Sequence, residues 1–131
     1  LRQPKAAGKG ESMSAVPQIK SDDLYQLLRE GRISEFNERI AAGEDCDLTD
    51  CDFRSLDLRG WDAGGLDLSG SYFRNADLRG VDLSDCALEG ASFHDARVAG
   101  VLFPATLSAD EIVMSVQLGT RVRQDCRRAA A

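Results

Sequence analysis

The feature that most constrains the fold is a five-residue repeat between residues 46 and 105. This segment divides without a gap into 12 units, from CDLTD at its start to VLFPA at its end. The third residue of every unit is apolar, the second is Asp in seven units, and the last is often Gly. A period of five fits neither an α-helix, with about 3.6 residues per turn, nor a strand, whose side chains alternate with a period of about 2. It predicts a short extended piece with two inward side chains, followed by a turn that suits Asp and Gly.

The units resemble a known family. ADLRG at residues 76–80 matches the A(D/N)LXX pattern of the pentapeptide-repeat family outright, and VDLSD and LDLSG are near matches. The resemblance implies an all-β solenoid, a right-handed quadrilateral β-helix in which four units form one 20-residue coil. The repeat would then hold three coils, with no catalytic residues and no cofactor.

A four-sided coil requires residues 20 apart to share a column, and the sequence can be checked for this. The third positions form four columns of apolar residues: Phe53, Phe73 and Phe93; Leu48, Leu68 and Leu88; Leu58, Leu78 and Val98; Ala63, Leu83 and Phe103. The Phe column and the alignment of Gly60, Gly80 and Gly100 are not required by a five-residue period alone. Trp61 is the first residue of its unit, where the family usually has a small residue. Ala63, the third residue of the same unit, is small where the other units have a larger apolar residue. We expect large and small side chains to have exchanged there, so that core volume is kept.

Helical flanks are expected to cover the two ends of the stack, which would otherwise expose unpaired edges. Ser21 is a candidate N-cap for a helix over residues 22–30, and Ser34 for a second helix ending at Ala42. Ser108 is a candidate N-cap for a third helix from Ala109 to Leu118, which Gly119 ends. The predicted organisation is listed in chain order: a disordered segment 1–20, a helical cap 21–45, the repeat 46–105, a helical cap 106–123 and a flexible tail 124–131.

The net charge of −6 lies on the repeat, which holds 11 acidic and five basic residues. Stacking at 20-residue intervals predicts pairs of Asp residues above one another, and it places four Arg residues on two adjacent sides. This set is the candidate interaction surface: Asp47, Asp57, Asp62, Asp67, Asp77, Asp82, Arg54, Arg59, Arg74 and Arg79. An acidic chain of this kind argues against direct nucleic-acid binding through a basic surface.

Two functions remain open. The first is a rigid, non-catalytic module that binds a protein partner of unknown identity. The second, implied by the resemblance, is a DNA mimic that modulates DNA gyrase or topoisomerase through its acidic face. Coils about 4.8 Å apart give a repeat roughly 14 Å long, whereas one DNA turn spans about 34 Å. We therefore expect the Asp residues to serve mainly as turn caps and partners of Arg.

The apolar surface of the third helix is too wide for one contact, which indicates a possible homodimer. Ile112, Val113 and Val116 form one apolar face, while Met114 and Leu118 point elsewhere and are the candidate dimer contact. One part of this apolar surface would close the last coil and the other would meet a second chain.

Catalysis and metal binding are not expected. His94 is the single histidine, and the spacing of Cys46 and Cys51 does not match that of zinc ligands. The two remaining cysteines are Cys86 and Cys126, and we expect three buried thiols and one in the tail. With no signal peptide and no apolar run long enough for a membrane span, we expect a bacterial cytoplasmic protein. Met13 is a candidate natural start, which would make Leu1 to Ser12 additional residues.

Overall fold

A computed structural model gives the fold, and it describes residues 18–125. Its helices are α1 (Asp23–Arg29), α2 (Ile33–Ala41) and α3 (Ala109–Leu118). The expectations for Met13, for Cys126 and for most of the two chain ends lie outside the described residues. Residues at both expected disordered or flexible ends bond to the ordered part of the chain. Gln18 forms a parallel bridge with Cys51, the Leu88 amide donates to the Gln124 side chain at 2.8 Å, and the Asp125 amide donates to the Thr106 carbonyl at 2.8 Å.

The repeat returns to the same place every 20 residues. Parallel bridges join Asp52 to Tyr72, Tyr72 to Ser92 and Asp57 to Asp77. The backbone bonds follow this spacing, since the Phe53 amide donates to the Tyr72 carbonyl at 2.8 Å. Within the described residues the β structure consists of isolated bridges and not of the continuous strands expected of an all-β solenoid. Each extended piece is too short for a strand, because a turn interrupts it once in every unit.

The core is a set of buried columns along the repeat. The rings of Phe53 and Phe73 are stacked with centroids 4.9 Å apart, and those of Phe73 and Phe93 lie 5.2 Å apart. Leu and Ala side chains fill the remaining columns, and nearly all of them are completely buried. Val98 and Phe103, which end two of the columns, are only partly buried. The 20-residue alignment therefore predicts the columns correctly, except at the end of the last coil.

Trp61 and Ala63 are both buried, as the expected exchange of large and small side chains requires. The Trp61 ring contacts Phe36 of α2 at 6.1 Å and Phe53 at 5.8 Å between centroids. Its indole Nε1 is buried and has no hydrogen-bond partner among residues 18–125. The large side chain thus joins the first helical cap to the Phe column, and an unpaired indole N–H accompanies this packing.

Two of the three helices begin with an N-cap residue other than the expected Ser. Asp22, not Ser21, caps α1 by accepting a hydrogen bond from the Tyr25 amide at 3.0 Å. Helix α2 begins at Ile33 after Arg32, which makes no side-chain cap, so Ser34 lies inside the helix. Helix α3 has the expected ends, with Ser108 accepting from the Glu111 amide and Gly119 in the left-handed region. Neighbouring Ser and Asp residues are both capable caps, and the path of the preceding chain selects one of them.

Side chains of α1 and α2 bond to the first coil where a preceding coil would otherwise lie. The Asn37 side chain donates to the Gly60 carbonyl at 2.9 Å and accepts from the Asp62 amide at 2.8 Å. The Tyr25 hydroxyl donates to the Asp52 carbonyl at 2.6 Å. These bonds satisfy backbone groups that an uncovered edge would expose.

Asn37→Ala should lower the free energy of unfolding by about 1–2 kcal/mol, because two hydrogen bonds are lost at a partly solvated edge. Asn37→Asp retains the acceptor for Asp62 and should lose about half as much. Glu38→Ala on the exposed side of α2 is the control and should change stability by less than about 0.5 kcal/mol. Urea unfolding would measure all three, and equal losses for Asn37→Ala and Glu38→Ala would contradict the capping role.

The segment from α3 to Asp125 covers part of the last coil. The Ser115 hydroxyl accepts from the Phe93 amide at 2.8 Å, and the Gln124 side chain accepts from the Leu88 amide at 2.8 Å. Between them, Val122 exchanges backbone hydrogen bonds with Gly90 and Ala91. Gln124 therefore acts as a cap, although the sequence places it at the start of a flexible tail.

Candidate interaction surface

Three of the four candidate Arg residues are paired within their own unit. Arg54, Arg59 and Arg79 each donate to the Asp two residues earlier, with shortest distances of 2.8, 2.8 and 2.7 Å. A second contact joins two coils, since Arg59 Nε lies 3.5 Å from Asp77 Oδ2. Because Arg and Asp alternate at fixed positions of the unit, the repeat itself produces this ladder of ion pairs.

The candidate Asp residues share one local role. In each unit the carboxylate accepts a hydrogen bond from the backbone amide two residues later, at distances such as 3.1 Å for Thr49, 3.0 Å for Ser69 and 2.9 Å for Ser84. The set that does this is Asp47, Asp57, Asp62, Asp67, Asp77 and Asp82. Such bonds close the turn of each unit, which explains why Asp recurs at the second position.

Of the expected Asp pairs, the structure joins one directly. Asp57 and Asp77 form a parallel bridge, and Asp47 and Asp67 line one shallow cavity of about 280 Å³. Asp82 bridges to Leu102, and no bridge joins it to Asp62. Asp52 belongs to this group although the sequence analysis did not single it out. Its side chain is 6% exposed and is bonded to Arg54.

Hydrogen bonds from Arg79 hold the pKa of Asp77 at about 2, below its usual 3.8. For Asp57 the Arg59 side chain lowers the pKa in the same way. Burial raises the pKa of Asp52, but hydrogen bonds and the charge of Arg54 outweigh it, so that the net shift is downward. These carboxylates are therefore ionised and paired at neutral pH.

A carboxyl group whose pKa is lowered on folding stabilises the fold above its unfolded pKa, and this contribution is lost as the pH falls through the folded pKa. For Asp77 the loss should fall between about pH 4 and pH 2. Wild-type stability should therefore fall more steeply over this range than that of Asp77→Asn, which has no proton to gain. Urea midpoints at stepped pH would measure both slopes, and parallel slopes would contradict the pairing.

Arg74 differs from the other three Arg residues. Its unit is SYFRN, so Tyr72 stands where the other Arg units have Asp. Its side chain is exposed and has no hydrogen bond or ion pair with any residue between 18 and 125. The Tyr72 hydroxyl instead accepts from Arg121 at 2.9 Å, and the Arg121 guanidinium lies 4.8 Å from the Tyr72 ring centroid. Arg74 is thus left with an unmatched charge.

Arg74 lies on an open groove of about 470 Å³ beside α1. Arg29 of α1 and Arg54 of the first coil line the same groove, so three elements supply guanidinium groups to it. Arg29 donates to the Asp52 backbone carbonyl at 3.3 Å and lies 6.0 Å from the Tyr25 ring centroid. The sequence does not indicate Arg29 as part of this surface, because a residue of a flanking helix has no fixed position relative to the five-residue repeat.

Comparison with protein families finds eight copies of pentapeptide repeats in residues 67–103. The chain therefore contains a pentapeptide-repeat segment. Such repeats generally form a right-handed quadrilateral β-helix, and such proteins are generally non-enzymatic structural or interaction modules. Comparisons with curated proteins and with solved structures gave no match. The four units before residue 67 follow the same pattern, since Asp52 and Asp57 form bridges with residues of the matched segment.

The candidate dimer contact on α3 is unevenly exposed. Leu118 is 71% exposed and Val113 is 48% exposed, whereas Met114 is only partly exposed. Ile112 and Val116 pack against the core. The expected grouping of Val113 with the core-facing residues is therefore wrong, because the turn of the helix directs it toward solvent.

The histidine and cysteines of the repeat protein lie in structural settings. His94 is partly buried beside Gly119, and its Nε2 lies 3.7 Å from Asp95 Oδ2. Cys51 and Cys86 are buried free thiols, whereas Cys46, expected to be buried, is partly exposed. Burial raises the pKa of Cys46 and Cys51 to about 12 and that of Cys86 to about 11. Between residues 18 and 125 no group of acidic, His and Cys residues could hold a metal ion, and no helix is long and apolar enough to cross a membrane.

Proposed function

We propose that this chain is a non-catalytic adaptor that presents two adjacent sides of a right-handed quadrilateral β-helix to a protein partner. One side carries Arg54 and Arg74, and the adjacent side carries Arg59 and Arg79. The observation that carries the proposal is the unmatched charge of Arg74 on a groove next to an ordered ladder of ion pairs. The free thiols in residues 18–125 fit a reducing compartment such as the bacterial cytoplasm.

A rigid surface suits this task because little conformational freedom is lost when it binds. The stacked Phe rings and the Asp turn caps fix the positions from which the Arg side chains project. The groove beside Arg74 is open and mainly polar, and the cavity beside Asp47 and Asp67 is shallow. Neither has the apolar enclosure that is typical of a small-molecule or catalytic site.

The geometry supports an adaptor better than a DNA mimic acting on gyrase. Asp57 and Asp77 are each bonded to an Arg of the same unit, which reduces the negative potential that a mimic needs. The stacking distance of 4.9–5.2 Å between Phe rings also makes three coils much shorter than one DNA turn of about 34 Å. A supercoiling assay with DNA gyrase would support the mimic if micromolar protein inhibited or protected the enzyme.

The adaptor surface can be tested by site-specific photocrosslinking in the parent cells. A photoreactive amino acid would replace Ile19, which lies beside Arg54 and Arg74 and leaves both in place, or Arg79 on the second proposed side; Ser84 and Glu89 on the other two sides are matched controls. We expect one protein to be crosslinked from positions 19 and 79 and much less from 84 and 89. Equal crosslinking from all four sides, or none from any, would contradict the proposal.

A homodimer through α3 is a second proposal about assembly, supported by the exposure of Leu118 and Val113. Met114→Glu combined with Leu118→Glu should convert a dimer to a monomer, because burying two carboxylates in an apolar contact is unfavourable. Glu replacement of the exposed Gln117 on the same helix is the control and should leave the dimer intact. Light scattering after gel filtration would measure the mass, and a monomeric wild-type protein would refute the dimer.

A further inference from the structure

We propose that the groove between Arg29, Arg54 and Arg74 binds an acidic peptide segment of the partner through its oxyanion side chains, either carboxylate or phosphomonoester. This inference rests on the proposed adaptor function and names the chemistry of the partner. It depends on which of the three guanidinium groups remain free, on what else lines the groove and on how firmly the groove is held.

The charge of the groove is positive although the protein as a whole is acidic. Three guanidinium groups and the single carboxylate of Asp52 line it, together with Ile19, Ser55 and Asn75. The Asp52 carboxylate is already used, because Arg54 bonds it through Nε and a terminal nitrogen, at 2.9 and 2.8 Å respectively. Arg29 acts on the same carboxylate only through its charge, without an ion pair, so the guanidinium donors of Arg29 and the whole charge of Arg74 remain available to a ligand.

The hydrogen-bonding capacity of these two residues is largely unused. Arg29 touches a backbone carbonyl and the face of Tyr25, and no carboxylate in residues 18–125 pairs with it. Arg74 has no partner in the same part of the chain, whereas Arg59 and Arg79 are paired. A planar guanidinium binds carboxylate and phosphoryl oxygens through two parallel hydrogen bonds, so two free groups can hold successive acidic side chains.

The shape of the groove favours a peptide over a free anion. Its volume of about 470 Å³ is in the range of ligand sites, yet it is open on one side, so a chain can enter and leave it. Ile19 at its edge is 60% exposed and offers an apolar contact beside the charged groups. Ser55 and Asn75, also in the lining, have φ of 64° and 59°, and their amides bond to the next coil. The lining is thereby fixed before any ligand arrives.

The test is fluorescence anisotropy of the full chain with three labelled peptides: hexaglutamate, a phosphoserine peptide of matched length and neutral hexaglutamine. We expect the acidic peptides to bind and hexaglutamine not to bind, and binding should weaken with added salt because the groove is open to solvent. Comparison of the two acidic peptides shows whether carboxylate or phosphomonoester groups are preferred. No binding of either acidic peptide would overturn the inference.

Matched variants locate the site. Arg74→Gln should weaken binding of the acidic peptide about tenfold or more, as expected for loss of a charge-assisted hydrogen bond. Arg97→Gln removes the same charge from an exposed residue on the adjacent side and should alter binding by no more than about twofold. Arg54 is unsuitable for this substitution test, because its removal would leave the Asp52 carboxylate without its ion-pair partner. If Arg74→Gln and Arg97→Gln weakened peptide binding equally, the attraction would be nonspecific and the proposed binding site would be wrong.

The crosslinking experiment separates this inference from the function beneath it. If position 79 still crosslinks a partner in the Arg74→Gln protein at the wild-type yield, the adaptor function stands and the groove is not its acidic-peptide site. If no position crosslinks any partner, the adaptor function itself fails. Unchanged thermal unfolding of Arg74→Gln would show that its effect on binding is not due to loss of the fold.

Discussion

Phe73→Ala is expected to lower the free energy of unfolding by about 3–5 kcal/mol, enough to unfold much of a domain of ordinary stability. Phe73 lies in the middle of the column, with Phe53 on one side at 4.9 Å and Phe93 on the other at 5.2 Å between centroids. The Trp61 ring contacts it as well, at 6.3 Å. Removing the ring leaves a cavity that neighbouring coils cannot fill, since their spacing is set by backbone hydrogen bonds.

Two matched variants make this prediction specific. Phe73→Leu should cost less than about 2 kcal/mol, because the other columns show that Leu fits the third position of a unit. Phe103→Ala should also cost less than Phe73→Ala, since Phe103 is partly buried and, in the part of the chain that the structure describes, contacts one ring, that of Phe93 at 5.4 Å. Urea unfolding followed by Trp61 fluorescence would measure the series, with Phe73→Leu as the informative variant if Phe73→Ala does not fold. Equal losses at positions 73 and 103 would contradict a core built on the central coil.

The columns could be predicted because the repeat converts sequence spacing directly into spatial position. Once 20 residues make one coil, Phe53, Phe73 and Phe93 must lie above one another whatever the details of the turns. The end of α3 at Gly119 is equally local, because a helix that reaches a left-handed residue ends there. In such places the information lies within a few residues of the feature it determines.

The groove could not be predicted in full, because it depends on how α1 docks against the first coil. Nothing in the spacing of Arg29 relates it to Arg54 or Arg74. The free charge of Arg74, in contrast, was readable from the sequence, since its unit has Tyr72 in place of Asp. The role of Asn37 was not readable, because an exposed-face Asn on an amphipathic helix carries no mark of the carbonyl and amide it meets.

Gly70→Ala is expected to lower the free energy of unfolding by about 2–3 kcal/mol, more than the same change at Gly60, because the Asp50 side chain must also rotate away. Both glycines end a unit in the left-handed region, with φ of 74° and 83°. A Cβ atom on Gly60 would meet nothing within 4 Å, whereas one on Gly70 would overlap Asp50 Oδ1 and lie 3.1 Å from its Cγ. Gly60→Ala should therefore cost only the backbone strain, about 1–2 kcal/mol.

The extra cost at position 70 should come from Asp50, and a double-mutant cycle can isolate it. In an Asp50→Ala background the carboxylate is gone, so Gly70→Ala should lose its additional penalty and match Gly60→Ala within about 0.5 kcal/mol. Urea unfolding of the four proteins in the cycle, with Gly60→Ala alongside, gives the coupling directly. If Gly70→Ala remained costlier than Gly60→Ala without the Asp50 carboxylate, the close stacking of positions 50 and 70 would not be its cause. Agreement would show that the side chain ending a unit in one coil limits which residue can end the corresponding unit of the next coil, a constraint that acts across 20 residues of sequence.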